Sequence, residues 1–251
     1  MSKRLTVLLF ALAYLAVLIA FAPASLLDAA LRKASHDRFA LANASGTVWR
    51  GQALLSLRQH NGKWAPLQSM QWSISALSLF TGQIRAQLLP EGLPPAAATE
   101  LVATRSGVEL HHAQFQLSAQ ALNQISTTLE PIGFHGQLVI RSDHFALTPG
   151  GAAGTATVEW LQAGSALSRI APLGNYKLTL TGAGAGVNVS LATTSGVLLL
   201  DGQGSWKMPD GLNLLVNARA APGSEDSLNE LLYHFGPQTA PGVHTFNLVP
   251  Q

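Results

Sequence analysis

Residues 176–191 read Tyr176-Lys177-Leu178-Thr179-Leu180-Thr181-Gly182-Ala183-Gly184-Ala185-Gly186-Val187-Asn188-Val189-Ser190-Leu191. Two runs of apolar–polar alternation flank a stretch in which every second residue is glycine. A period of two puts alternate side chains on opposite faces of a strand. The glycine stretch has no side chains to pack and reads as a turn. Together they read as a hairpin, and the same texture governs the chain beyond residue 35.

Outward from this hairpin the pattern repeats. Ser106-Gly107-Val108-Glu109-Leu110 and Gln114-Phe115-Gln116-Leu117 alternate in the same way. Thr47-Val48-Trp49 and Ala53-Leu54-Leu55-Ser56-Leu57 read as strands on either side of Gly51, and Asn61-Gly62 is a strong turn signal. Residues 91–98, with Pro94-Pro95 and three alanines, read as an irregular crossover. Two segments read as helices, 119–130 and 224–235, stopped by Pro131 and Gly133 and by Gly236-Pro237.

The chain also repeats itself. Trp49-x-Gly51-Gln52 returns as Phe134-x-Gly136-Gln137, and Trp72…Leu77-Ser78…Gly82…Leu88 as Trp160…Leu167-Ser168…Gly174…Leu180. Ser106-Gly107-Val108 returns as Ser195-Gly196-Val197, and Leu122-Asn123 as Leu228-Asn229. The matches keep their order, which predicts two similar β modules, 36–123 and 124–251, the second carrying an extra C-terminal strand.

Residues 5–24 carry no charge, and Lys3 and Arg4 precede them. Twenty helical residues rise about 30 Å, the thickness of the bilayer's hydrocarbon core. The reading is a tail at 1–4, a single transmembrane helix at 5–24 and a juxtamembrane linker at 25–35. The basic pair keeps the N-terminus cytoplasmic and the bulk of the chain across the membrane. Ala22-Pro23-Ala24 resembles a cleavage site, so a signal peptide is the alternative.

Composition excludes several classes of function. The 251 residues include no cysteine, so no thiol nucleophile, disulfide or cysteine-ligated metal exists. Without Lys3 and Arg4 the remaining 13 basic residues match the 13 acidic ones, which leaves no basic face for nucleic acid. His111 and His112 are neighbours and face opposite sides of a strand. His135, Asp143 and His144 fit no metal-ligand spacing. No nucleophile elbow or metalloprotease helix motif occurs. The expectation is no catalytic residue, cofactor or metal site. Trp49, Trp64, Trp72, Trp160 and Trp206 lie in or beside strand-like segments. They read as core residues or, alternatively, as an exposed aromatic stripe that grips a partner.

Gly46-Thr47-Val48-Trp49-Arg50-Gly51 resembles the signature near the start of type II secretion system protein N, also called general secretion pathway protein N. The resemblance continues through Gln71-Trp72-Ser73 and Leu77-Ser78-Leu79-Phe80-Thr81-Gly82. It returns in Glu159-Trp160, in Pro172-Leu173-Gly174 and in Gly196, then in Gly202-Gln203-Gly204-Ser205-Trp206. It implies an inner-membrane component of a Gram-negative machine that exports folded proteins from the periplasm. It also implies an accessory role without catalysis, and contacts with the inner-membrane platform or the outer-membrane channel. The motif residues Gly46, Thr47, Trp49, Gly51, Trp72, Gly82, Trp160, Pro172, Leu173, Gly174, Gly196, Gly202, Gly204 and Trp206 then serve as fold determinants.

The expected fold is mostly β: one N-terminal transmembrane helix, then an antiparallel, curved periplasmic sheet of two similar modules with short helices. A curled sheet with an apolar concave face would also suit a periplasmic lipid-binding or lipid-guiding protein of the AsmA-like kind. That reading stands as the alternative.

Overall fold

The computed structural model describes residues 3–124, 130–207 and 211–248. Two helices open the chain, α1 (Lys3–Ala20) and α2 (Ser25–Ala34). Six strands follow: β1 (Phe39–Gly46), β2 (Arg50–Arg58), β3 (Trp64–Ile74), β4 (Ile84–Pro90), β5 (Thr99–Thr104) and β6 (Gly107–Ser118). Next come β7 (Phe134–Thr148), β8 (Gly151–Ser165), β9 (Gly174–Gly182), β10 (Val187–Gly196), β11 (Leu198–Lys207) and β12 (Gly211–Ala220). The chain ends with α3 (Glu225–Phe235), β13 (Gln238–Ala240) and β14 (Val243–Leu248).

All fourteen strands join one antiparallel sheet. From β1 to β12 each strand pairs with its neighbours in sequence, and the order finishes β12-β14-β13. Such a meander needs only short hairpins, which the turn residues supply. Residues 183–186 join β9 to β10, Asn61-Gly62 lies in the β2–β3 turn, and Arg105-Ser106 joins β5 to β6. Residues 91–98 form the β4–β5 connection, with a single 3-10 turn at Pro95–Ala97. The mostly β, antiparallel expectation holds.

Some expectations need correction. Thr47, Val48 and Trp49 form the β1–β2 turn and not a strand, because Gly46 leaves the sheet with a φ of +95°. The predicted helix over 224–235 is α3, but residues 119–124 form a 3-10 helix and 125–129 lie outside the described residues. Residues 25–34, read as linker, form α2. An Asp28–Arg32 ion pair one turn apart supports that helix, and Asp28 accepts the Leu41 N–H and so ties it to β1.

The expected span over 5–24 is interrupted. α1 ends at Ala20: Pro23 disfavours helix at the residue before it, and Ala22 and Pro23 are drawn into the sheet, where Val48 N–H donates to the Ala22 carbonyl and Pro23 bridges Thr47. Lys3 and Arg4 sit within the first turn of α1, so its uncharged part, residues 5–20, rises only about 24 Å. Among the described residues no helix is long and apolar enough to cross a membrane.

Several repeated motifs occupy matching places five strands apart. Gly51 and Gly136 open β2 and β7, Trp72 and Trp160 lie on β3 and β8, and Ser106-Gly107 and Ser195-Gly196 lie at the β5–β6 and β10–β11 turns. Two matches differ. The residue opposite Trp160 on the next strand is Tyr176, where Leu88 stands opposite Trp72, so Leu180 is not the counterpart of Leu88. Leu228-Asn229 follows β12 on α3, six strands after Leu122-Asn123.

The main core belongs to the second half of the sheet. Val187 and Val189 of β10, Leu198 and Leu200 of β11, and Leu214, Val216 and Ala218 of β12 are buried, and polar residues together with Leu199 and Leu215 alternate with them. Leu228, Leu231 and Leu232 of α3 close this face. An eleven-residue helix cannot cover five strands, yet Val187 and Leu198 are only 1% and 2% exposed. The β8–β9 connection supplies further cover: Leu173 is buried in this cluster, and Leu167 and Ile170 pack against it. A smaller cluster, Ala24, Ala53 and Trp72 with Leu27 and Leu41, packs where α2 meets the first strands.

Candidate functional site

The signature turn is the joint between α1 and the sheet. Thr47 ties the turn to itself: its N–H donates to the Arg50 carbonyl, and its hydroxyl accepts the Arg50 N–H at 3.2 Å. Trp49 reaches away from the sheet, and its indole Nε1 donates to the Ile19 carbonyl at 2.7 Å. That carbonyl lies in the last turn of α1, where backbone acceptors lack helical partners. Ala24 N–H donates to the Gly46 carbonyl and Ile74 N–H to the Trp49 carbonyl, so helix, turn and β3 form one bonded unit.

Trp72 supports this turn from beneath. It is 6% exposed, and its Nε1 lies 3.3 and 3.1 Å from the carbonyls of Thr47 and Val48. Gly46 and Gly51 have separate reasons to be glycine. The first takes a positive φ, and the second leaves room for the Trp72 ring, which occupies the place of a Cβ.

Trp160 has a related but more open place. Its Nε1 donates to the His135 carbonyl at 2.8 Å, and its ring meets Phe134 edge-on and Tyr176 at a tilt, with centroids 5.3 and 5.7 Å away. Tyr176 is buried, and its hydroxyl donates to the Leu198 carbonyl at 3.0 Å. Burial pushes its phenol well above the usual value. Gly174 and Gly196 pair across β9–β10 beneath the buried Leu173, whose carbonyl accepts the N–H groups of Val197 and Leu198. Pro172 is exposed and follows a cis peptide bond.

The remaining motif residues are scattered. Gly82 ends the 3-10 helix Ala76–Thr81, and Gly202 and Gly204 lie opposite Val216 and Leu214 in the β11–β12 ladder. Trp206, half-buried, packs at the edge of the main core. Of the five tryptophans only Trp72 is fully buried; Trp49 and Trp160 are half-buried and Trp64 is exposed, with Arg32 stacked 4.8 Å from its ring centroid. The core reading therefore fits Trp72 alone without qualification. Trp49 and Trp160 each use the indole N–H to clamp a backbone carbonyl, a role that hydrophobic patterning does not reveal.

Beside the Trp49 turn runs an open groove lined by Trp49, Ile74, Leu77, Arg50, Arg85 and Glu100. Leu77 and Phe80 project from the adjoining 3-10 helix and are 78% and 89% exposed.

The histidines behave differently from expectation. His112 leaves regular strand geometry with a φ of +51°, while His111 pairs with His144 across the β6–β7 ladder. Glu109, two residues before His111, joins them, and one ligand atom from each of the three lies within 4.8 Å of the others. Spacing along one strand could not reveal this set, because one of its three members comes from the neighbouring strand. His135 and Asp143 take no part in it.

A search of curated proteins and a search of solved structures return no match. A comparison with protein families matches residues 37–247 to Type II secretion system (T2SS), protein N. The match covers all the strands but the last residue of β14, and it includes the signature turn, so the chain belongs to the type II secretion system protein N family.

Proposed function

We propose that this chain is an accessory, structural component of a type II secretion apparatus, held at the inner membrane by α1, with its sheet on the periplasmic side. The observation that carries this reading is the joint between Trp49 and Ile19, which ties the end of an apolar helix to the sheet. Leu5, Leu9, Phe10, Leu12, Tyr14, Val17 and Ile19 are all exposed, so α1 is apolar around its whole circumference, which suits lipid better than water. Its uncharged part is shorter than the hydrocarbon core. Snorkelling of Arg4, with local thinning, accommodates a mismatch of a few ångströms. Trp49 then sits where aromatic residues concentrate, at the membrane–water boundary. Leu77 and Phe80, beside the same groove, add an apolar wedge to that boundary.

In this reading the sheet is a rigid arm carried at a fixed attitude to the membrane. Other secretion components, in the inner-membrane platform or the outer-membrane channel, are its partners. The exposed edge strand β13 offers them backbone groups for strand addition. A lipid-guiding role is less well supported, because the apolar face of β9–β12 is already filled by α3 and the β8–β9 connection. The repeated placements on β2–β6 and β7–β11 support two similar modules within the one sheet.

The chain has no cysteine, so single Leu77→Cys or Phe80→Cys variants accept an environment-sensitive dye at one place. In native membranes the dye should report an apolar surrounding, and carbonate washing should leave the chain in the pellet. A water-like dye signal together with release by carbonate would defeat the membrane reading. Family membership would stand.

A further inference from the structure

We propose that Glu109, His111 and His144 bind one divalent transition-metal ion, and that this ion clips the first six strands of the sheet to the rest. The proposal does not depend on the membrane reading above.

The geometry arises from the ladder. Glu109 and His111 are two apart on β6, so they share a face, and His144 stands directly opposite His111 on β7. Side chains opposite each other in an antiparallel pair start about 5 Å apart, close enough for both rings to reach one ion. Nε2 of His111 lies 3.3 Å from Oε2 of Glu109, and Nε2 of His144 lies 3.8 Å from the same oxygen. The ring centroids are 4.9 Å apart at a 48° tilt, so the rings are not stacked and both nitrogens address one carboxylate oxygen. At 3.8 Å the second contact is too long for a hydrogen bond.

The separations suit a metal better. Ligands about 2.0–2.1 Å from a tetrahedral ion stand about 3.3–3.4 Å from one another. The Glu109–His111 distance already equals that edge, and the other two shorten by rotation of His144, which is 47% exposed and free to turn. Two imidazoles and one carboxylate form a borderline donor set that suits zinc, cobalt, nickel or copper and not calcium or magnesium, which prefer all-oxygen sites. Coordination through Nε2 leaves each imidazole proton on Nδ1. Water completes the fourth position.

The position gives the site a purpose. β6 and β7 are joined by the long connection 119–133 and pair in one constant register from Val108–Leu147 to Ser118–Gln137, with backbone irregularities only beside that ladder. His112 has a φ of +51°, and the β7–β8 register shifts between Arg141 and His144. The large buried clusters lie on either side of this seam, at the α2 end and around α3. An ion held by both strands adds a crosslink between β6 and β7 at His111 and His144, between those two clusters.

The test uses the full chain in detergent micelles, stripped of metal by a chelator. Cobalt(II) titration should produce tetrahedral ligand-field absorption that saturates at one ion per chain. His111→Gln and His144→Gln should each weaken binding by at least about 10–100-fold. His112→Gln and His135→Gln should leave it unchanged. Zinc(II) should raise the melting temperature of the parent chain but not of His144→Gln, with circular dichroism confirming that both are folded. Absence of cobalt absorption in the parent chain, or its survival in both His111→Gln and His144→Gln, overturns the proposal. Binding of several ions per chain with equal loss in the His112 variant would show scattered surface histidines and overturn it as well.

Discussion

Gly51 and Trp72 face each other across the β2–β3 ladder, and the Trp72 ring fills the space in which any other residue at 51 would place its Cβ. The ring is held there from both sides, by the Gly51 backbone and by the carbonyls of Thr47 and Val48 that accept its N–H. Gly51→Ala must therefore push the ring out of place. Overpacking of this kind costs about 1–3 kcal/mol. The melting temperature should fall, and intrinsic tryptophan fluorescence should shift as Trp72 meets water. An unchanged spectrum would mean that the ring moves without cost.

Loss of the Trp49 indole N–H and loss of the buried Trp72 ring should have different consequences. Trp49→Phe keeps the apolar ring and removes the bond to Ile19, which should cost about 0.5–1.5 kcal/mol. Its effect should concentrate at the helix joint, seen as faster proteolysis between residues 20 and 25 while the sheet stays resistant. Trp72→Ala removes a buried ring and should cost about 3–5 kcal/mol, lowering the amount of folded chain as a whole. Equal global destabilisation by both variants would refute the division of labour.

Trp160→Ala removes two ring contacts and one hydrogen bond from a half-buried site. Contacts of these kinds together amount to roughly 2–4 kcal/mol. Denaturant unfolding should show that loss with an unchanged slope, since the sheet itself remains. If Trp160 instead serves a partner, the variant will melt like the parent chain and lose that partner in co-purification.

Tyr176 should make the chain sensitive to alkali. Burial raises the folded-state pKa of its phenol above the unfolded value. The neutral phenol is thus favoured by folding, and its contribution is complete below about pH 10, where a free phenol begins to ionise. Above that the unfolded chain releases the proton and the folded chain does not, so stability falls as pH rises. Tyr176→Phe should lose about 0.5–1.5 kcal/mol at neutral pH with its bond to Leu198, and should show a shallower alkaline decline. Melting curves taken in steps from about pH 8 to pH 11 test both effects.

Much of this fold was legible in the order of the residues. Alternation with a period of two, as in Tyr176–Thr181, states that a segment is a strand with one face in and one face out. Gly182–Gly186 and Asn61-Gly62 state where the chain turns. These are local properties, because backbone sterics and side-chain direction act within a few residues. An antiparallel meander adds little that is not local, since each strand pairs with the next. The helix over 224–235 was legible for the same reason, whereas 119–124 forms a 3-10 helix at the start of the long connection between β6 and β7.

What only the tertiary structure decided concerns contacts between strands and at the end of α1. Pro23 already disfavours helix at the residue before it, but the capture of Ala22 and Pro23 by the β1–β2 turn comes from a distant part of the chain that no pattern within 5–24 encodes. All three indoles of Trp49, Trp72 and Trp160 donate to backbone carbonyls, but only the Trp72 ring is fully buried, a difference set by the strands packed around it. Glu109, His111 and His144 come together only because the β6–β7 register sets His144 opposite His111. Register is fixed by the alignment of two whole strands and not by any short motif, so a site shared between strands cannot be read from spacing along one of them.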